Sequence, residues 1–186
     1  NENLVPYCGP FTDGSSYKQI PAISMKDDFM REQIEFSKEI LDRCDDNPFS
    51  IGTLHGVVAS AVHPLRKAGF SPEEARKFQT AAIRSATQVV VDAYHRIADG
   101  MSELAQAYIK AGVDGVYFAA LGGETRYFTD EEFAEYIEPC DKQILSAIRE
   151  AGGKVFLHIC KDHLNMARYA SYADFCDVVN WGVYEA

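Results

Sequence analysis

A helical pattern followed by a break and a short apolar run recurs along the second half of this sequence. Gly112 ends one such pattern, Gly152 ends the next, and a third round follows. Together with one earlier β-prone run, the apolar runs are residues 49–54, 113–118, 154–159 and 177–181. Strands that are apolar almost throughout and alternate with helices predict an α/β fold in which parallel strands are flanked by helices.

Two architectures fit this alternation, an open doubly wound sheet and a closed (β/α)8 barrel of the TIM type. A doubly wound nucleotide-binding sheet needs a glycine-rich phosphate loop after a strand, and neither G-x-G-x-x-G nor G-x-x-x-x-G-K-[ST] occurs. The sequence therefore favours the barrel. Four strands are only half of one, and a barrel typically takes about 250 residues, so we expect an incomplete barrel.

The chain divides by pattern into a short first segment and one domain. Residues 1–25 hold three of the seven prolines and show neither helical nor alternating periodicity, which predicts an extended N-terminal arm. Residues 26–186 then form the partial barrel domain. Within it, residues 72–111 read as a long helical region that Asp99-Gly100 is expected to kink or divide.

Composition excludes several classes of partner. With 18 Lys and Arg against 28 Asp and Glu, the net charge is −10, and no basic cluster favours nucleic acid or an anionic membrane surface. No apolar stretch approaches the roughly 20 residues of a membrane span. The five cysteines form no C-x-x-C pair, which favours free thiols in a reducing cytoplasm. The chain starts at Asn1 and stops after an apolar run, so we expect a piece of a longer protein.

Four short motifs, in this order and at this spacing, resemble the uroporphyrinogen decarboxylase superfamily. The resemblance covers roughly residues 48–186, and it implies a (β/α)8 barrel. The superfamily includes uroporphyrinogen decarboxylase itself and the zinc-dependent cobalamin:thiol methyltransferases. The motifs are A-G-V-D-G-V-Y-F at 111–118, the segment 133–139, V-F-L-H-I-C at 155–160 and V-V-N-W at 178–181.

The methyltransferase branch carries an H-x-C motif on a strand, and His158-Ile-Cys160 matches it. Side chains two residues apart on a strand share a face, so both groups are predicted to project inward at the carboxyl end of the barrel. A catalytic zinc needs three protein ligands. The resemblance implies that the third is a cysteine far downstream; the present chain offers only Cys176, Glu124 or His163 as substitutes.

On this interpretation the protein transfers a methyl group from a corrinoid to a thiol. The resemblance implies that zinc holds the acceptor as its nucleophilic thiolate. The expected partners are a small-molecule thiol, or a tetrapyrrole in the decarboxylase branch, and a corrinoid protein. Alternatively, His158 and Cys160 are an ordinary hydrogen-bonded histidine and a packed thiol of the core.

The first alternative function is uroporphyrinogen decarboxylation, which belongs to porphyrin biosynthesis and needs no metal. The sequence departs from that branch at several points. No Arg-x-x-x-Arg segment lies near its start, and His55-Gly-Val-Val stands where the family places a tyrosine. The second alternative is an incomplete or non-catalytic relative that acts through a partner chain.

Other residues are candidates because of their place at strand ends. Glu124 and Arg126 lie on the loop after a strand, where Glu124 could serve as acid or base and Arg126 could hold a carboxylate. The alternative is a solvated loop in which the two pair with each other. His55 could face the same mouth and bind substrate. Asn180 and Trp181 end the last strand, where the indole could contact a flat cofactor such as the corrinoid.

Four parallel strands leave two free edges with unpaired backbone groups and an apolar interior. These surfaces have to be covered. We therefore expect either a homo-oligomer or a missing segment of the chain to cover them.

Overall fold

The structure, a computed structural model, describes residues 9–182 and contains one sheet of four parallel strands in chain order. The predicted α/β architecture with flanking helices is confirmed, as a partial barrel of the TIM type. The third strand has the predicted bounds, and the first two begin two residues later than predicted. The strands are β1 (Ile51–His55), β2 (Gly115–Ala120), β3 (Lys154–Ile159) and β4 (Val178–Trp181).

The late start of β1 has a local cause. The carboxylate of Asp114 accepts hydrogen bonds from the Ser50 amide and hydroxyl, at 2.8 and 3.0 Å. Ser50 is therefore bound to the turn preceding β2 rather than paired as part of the strand.

Helices form the crossovers between consecutive strands. Among the described residues, one α-helix precedes the sheet and three connect β1 to β2. A short α-helix, a π turn and a further α-helix connect β2 to β3. Residues Met166–Phe175 form a 3-10 helix before β4. The α-helices are α1 (Asp28–Asp42), α2 (Val57–Lys67), α3 (Pro72–Ser85), α4 (Thr87–Lys110), α5 (Asp130–Glu132) and α6 (Glu138–Glu150), with the π turn at Phe133–Ile137.

The long helical region divides at Ala86 rather than at Asp99-Gly100. Ala86 has φ −143° and ψ 46°, which ends α3 and starts α4. Gly100 lies inside the continuous α4, where a Cβ would clash with Ile23. The glycine therefore allows the N-terminal segment to pass close to the helix, and the expectation of a kink at this point was wrong.

Residues 9–25 depart from the predicted extended arm. Gly14–Gln19 is a 3-10 helix capped by the Asp13 side chain, and Tyr17 is fully buried. The Arg96 guanidinium donates hydrogen bonds to the Tyr17 and Ile20 carbonyls, at 3.1 and 3.2 Å. The segment is therefore part of the core, although the first eight residues of the predicted arm lie outside the described ones.

The two faces of the sheet differ. Side chains on one face, such as Phe118 and Leu157, are buried beneath the helices. The alternate residues, such as Tyr117 and His158, point to a face that no described helix covers. At the two edges, Phe49 and Trp181 are 58% and 42% exposed. Among residues 9–182, no helix is long and apolar enough to cross a bilayer.

Candidate functional site

Three side chains meet on the open face of the sheet, one from each of β2, β3 and β4. His158 and Asn180 are register partners, and His158 Nδ1 lies 2.8 Å from Asn180 Oδ1. The Tyr117 hydroxyl lies near both ends of this amide, 3.4 Å from Asn180 Nδ2 and 3.5 Å from Asn180 Oδ1. An amide oxygen can only accept, so Nδ1 donates and Nε2 keeps a free lone pair. The Tyr117 ring stacks on the imidazole, with centroids 5.3 Å apart.

Cys160 follows directly after β3 and continues its ladder by one residue. Its amide donates to the Ala120 carbonyl at 3.1 Å. Burial raises the pKa of its thiol, the charge of Glu124 raises it further, and Lys161 opposes both effects. The free thiol is therefore protonated near neutral pH, and a metal would have to displace its proton.

The three substitute ligands do not join His158 and Cys160. Cys176 precedes β4 and so lies at the opposite end of the sheet from Cys160. The Glu124 carboxylate is engaged by Arg76, and His163 is exposed beside Asp162. Within the described part of the chain, no three His, Cys, Asp or Glu side chains are grouped to hold one metal. The side chains of His158 and Cys160 are of the types that bind zinc, and a zinc site there would need a third ligand from elsewhere.

A cavity of ≈610 Å³ opens at the carboxyl edge of the sheet, between α3 and the loops that follow β2 and β3. Five Lys or Arg side chains line it, against two Glu, although the whole chain has a net charge of −10. Four of the five are paired with a carboxylate, namely Arg76, Lys77, Arg84 and Arg126. The attraction for an anionic ligand therefore rests on Lys161 and on the excess of cations in the lining. The lining residues are Pro72, Glu73, Arg76, Lys77, Thr80, Ala81, Arg84, Glu124, Arg126, Tyr127 and Lys161.

The two charged candidates on the loop after β2 have different partners. Glu124 is 2% exposed, and its Oε2 accepts from Arg76 Nη2 at 2.8 Å and from the Gly122 amide at 3.2 Å. Arg126, which is half-exposed, pairs with Asp162 at 2.9 Å. The alternative in which Glu124 and Arg126 pair with each other was wrong. Glu124 as an acid or base and Arg126 as a carboxylate ligand stay predictions.

Arg76 is a buried residue of this cavity that sequence patterns did not single out. Its guanidinium lies 4.8 Å from the centroid of the Tyr127 ring, and Nη1 donates to Gln79 Oε1 at 2.9 Å. Arg76 and Glu124 are 48 positions apart, so helical or strand periodicity carries no signal for their pairing.

His55 ends β1 in the same row of the sheet as His158, with Ala119 between them. Because neighbouring strands are about 4.8 Å apart, the two histidines stand about 10 Å apart across the sheet. His55 is instead beside His63 of α2, with 3.4 Å between His55 Nδ1 and His63 Nε2. Burial lowers the pKa of both imidazoles, and the charge of His55 lowers that of His63 further.

Trp181 and Asn180 point to opposite faces of β4. Trp181 is in register with Ile159, which is buried on the helix side, whereas Asn180 is in register with His158. The two side chains therefore lie on different sides of the sheet, because consecutive residues of a strand alternate between faces. Their binding of a flat cofactor stays a prediction.

Asp141 is a further residue that sequence patterns did not single out. It is fully buried in α6, where its Oδ1 accepts from the Val57 amide at 3.2 Å and its Oδ2 accepts from the Tyr172 hydroxyl at 3.3 Å. Burial raises its pKa to about 7. A Cβ on Gly56 would stand 2.7 Å from Oδ1. Asp141 thus fixes the turn between β1 and α2, directly after His55. The one signal for Asp141 in the sequence was its position next to the apolar stripe of α6.

The fold and its open site at the carboxyl end of parallel strands define a protein of the (β/α) barrel class. A family model described as uroporphyrinogen decarboxylase (URO-D) matches residues 68–182, more than half of the chain. The chain therefore belongs to the uroporphyrinogen decarboxylase superfamily, whose members are generally enzymes. The match includes His158, Cys160 and Asn180 and leaves out His55 and His63. No protein of curated function matches the chain.

Proposed function

We propose that the chain carries part of a zinc-dependent methyltransferase of this superfamily, which moves a methyl group from a corrinoid to a thiol. The supporting observation is the 2.8 Å hydrogen bond between His158 Nδ1 and Asn180 Oδ1. It leaves Nε2 as the free nitrogen, and a ligating histidine commonly donates its other ring proton to such an oxygen.

His158 and Cys160 are the proposed ligands, and a third ligand comes from outside the described residues. When bound, zinc supplies charge that keeps the acceptor sulfur deprotonated near neutral pH. Asn180 orients the His158 ring, and Tyr117 restricts its rotation by stacking. Cys160 gives up its proton to solvent when it ligates.

The cationic cavity beside Cys160 suits anionic groups of the thiol or of the corrinoid. Lys161 follows Cys160 directly and lines this cavity. Among residues 9–182 it takes part in no ion pair. Its ammonium can therefore meet an incoming anion without first losing a carboxylate partner.

Cobalt titration tests the ligand assignment. In the presence of a small thiol, which also serves as an added ligand, the chain should develop thiolate-to-cobalt absorption that Cys160→Ala reduces. Asn180→Leu should weaken cobalt binding by about tenfold or more. Cys176→Ala is the matched control, because it removes another half-buried thiol at the opposite end of the sheet, and it should leave the signal unchanged.

Methyl transfer is then measured as loss of methylcobalamin in the presence of thiol. After dialysis to remove readily exchanged zinc, the longest obtainable wild-type protein should hold about one zinc, and Cys160→Ala should lose both zinc and activity. If neither protein holds zinc, the methyltransferase proposal is wrong and the two residues belong to the core.

The second candidate is decarboxylation of a porphyrinogen, which the cationic cavity favours because it suits carboxylate side chains. Arg126 is the proposed carboxylate contact, since its guanidinium is half-exposed at the cavity. Release of carbon dioxide from a porphyrinogen by zinc-free wild type, reduced in Arg126→Gln, would replace the first proposal with this one.

The third candidate is an incomplete relative that acts through a partner, and the open face of the sheet favours it. Ile51 and Val178, on the two edge strands, are 42% and 45% exposed. We propose that a second copy or a further segment of the chain covers this face. Light scattering that reports a lone 20.7 kDa chain, together with no binding of an apolar dye, would contradict this.

A further inference from the structure

We propose that His55 and His63 form a second zinc site, at the junction of β1 and α2. The two residues lie outside the part of the chain that matches the family, and across the sheet from His158 and Cys160. The site is independent of the methyltransferase proposal, because it uses neither of those ligands.

The spacing of the two rings carries the proposal. His55 Nδ1 and His63 Nε2 are 3.4 Å apart, and the ring centroids are 5.1 Å apart. This separation exceeds the usual donor-to-acceptor range of about 2.7–3.2 Å. Two nitrogens that each lie about 2.0–2.1 Å from one tetrahedral zinc stand about 3.3–3.4 Å apart. The pair therefore has the spacing of two zinc ligands rather than that of a good hydrogen bond.

The turn that carries His55 is fixed before any metal binds. The Gly56 amide donates to the Ala119 carbonyl at 3.0 Å, and the Val57 amide donates to Asp141 at 3.2 Å. The Ser60 hydroxyl donates to the His55 carbonyl at 3.3 Å. His63 lies within α2, the helix that this turn begins. Both ligands thus sit on regular elements joined by a hydrogen-bonded turn, which limits the entropy lost on binding.

The chemistry of the pair selects the class of metal. Imidazole nitrogens suit zinc, copper, nickel and iron. A square-planar ion would bring neighbouring nitrogens to about 2.8 Å, so the observed spacing favours tetrahedral zinc. Both histidines are exposed, so solvent can supply the remaining two ligands. No third protein ligand is grouped with them in the described part of the chain, so zinc should exchange readily.

Zinc titration calorimetry tests the site in a background that lacks the other proposed ligands. In His158→Ala/Cys160→Ala, the chain should still bind about one zinc. Adding His63→Ala should lower the affinity by about tenfold or more, because one of only two protein ligands is lost. His55→Gln should do the same. His163→Ala is the matched control, since it removes an exposed histidine that lies beside Asp162, and it should change nothing.

The outcomes separate the two zinc proposals. If the double-variant background binds no zinc, the His55–His63 site is wrong, whatever the cobalt titration of Cys160 shows. If zinc binds but His63→Ala and His55→Gln leave the affinity unchanged, the site is also wrong. Circular dichroism and thermal unfolding should be the same for the background and its His63→Ala form, because the ring is exposed. If His63→Ala unfolds, the zinc affinity of His55→Gln alone decides whether the site exists.

Discussion

The helix-covered face and the open face of the sheet differ in how their polar groups are satisfied. On the covered side, the buried polar groups of Arg76, Glu124 and Asp141 are held by fixed hydrogen bonds or ion pairs. On the open side, His158 and Asn180 satisfy each other and leave one imidazole nitrogen free. Polar groups on the covered side are fixed within the fold, whereas the open side offers its polar atoms to something outside the described chain.

The largest expected difference between the faces comes from adjacent residues of β2. Phe118 is fully buried, so Phe118→Ala should lower the free energy of unfolding by about 4 kcal/mol. Tyr117 is half-buried on the open face, and Tyr117→Ala should cost about 1 kcal/mol or less. Urea unfolding measures both. A large cost for Tyr117→Ala that grows with protein concentration would mean that a second copy covers the open face.

The next effect compares two ion pairs of one cavity. Arg76→Met leaves Glu124 buried without its cation and should lower the free energy of unfolding by about 3 kcal/mol. This is near the lower end for buried pairs, because methionine retains the packing against Tyr127. Arg126→Met breaks a half-exposed pair and should cost about 0–1 kcal/mol. Adding Glu124→Gln to Arg76→Met should recover most of the loss. Equal costs for the two arginine variants would contradict the burial of the Arg76 pair.

The fold could be predicted where local pattern decided it. The glycines after the helices and the apolar runs predicted four parallel strands, and β3 has the predicted bounds. The division at Ala86 could not be predicted, because neither glycine nor proline marks it. Gly100 misled the prediction, since its lack of a Cβ serves a contact with Ile23 rather than a break.

The candidate site was predictable only in part, because most of its contacts join residues that are far apart in the sequence. Strand periodicity put His158 on a face, but its hydrogen bond to Asn180 joins residues 22 positions apart. The pairing of Arg76 with Glu124 and the contact of Asp141 with Val57 span 48 and 84 positions. Tertiary packing creates these contacts, and a single sequence carries no periodic signal for them.

The smallest effect concerns Asp141, a carboxyl on the covered side that holds the turn after His55. In the folded chain its pKa is about 7, above the ordinary value near 4. Between these values the folded chain binds more protons than the unfolded chain. The stability that Asp141 contributes is therefore fully present below pH 4 and lost as the pH rises through about 7. From pH 5 to 7 the loss is about 2 kcal/mol.

Asp141→Asn should remove this slope, because the amide oxygen still accepts from Val57 and no longer titrates. Urea unfolding of both proteins at pH 5 and 7 measures this change in the free energy of unfolding. The histidines titrate in both proteins, so the difference between the proteins removes their contribution. Asp177→Asn is the control. The hydrogen bond from the Val155 amide is the main cause that lowers the pKa of Asp177, so this carboxyl is already charged at pH 5 and should give no such slope. A slope of opposite sign would mean that the positive end of α2 stabilises the Asp141 carboxylate more than burial disfavours it. The turn between β1 and α2 would then be most stable at pH values at which Asp141 is ionised.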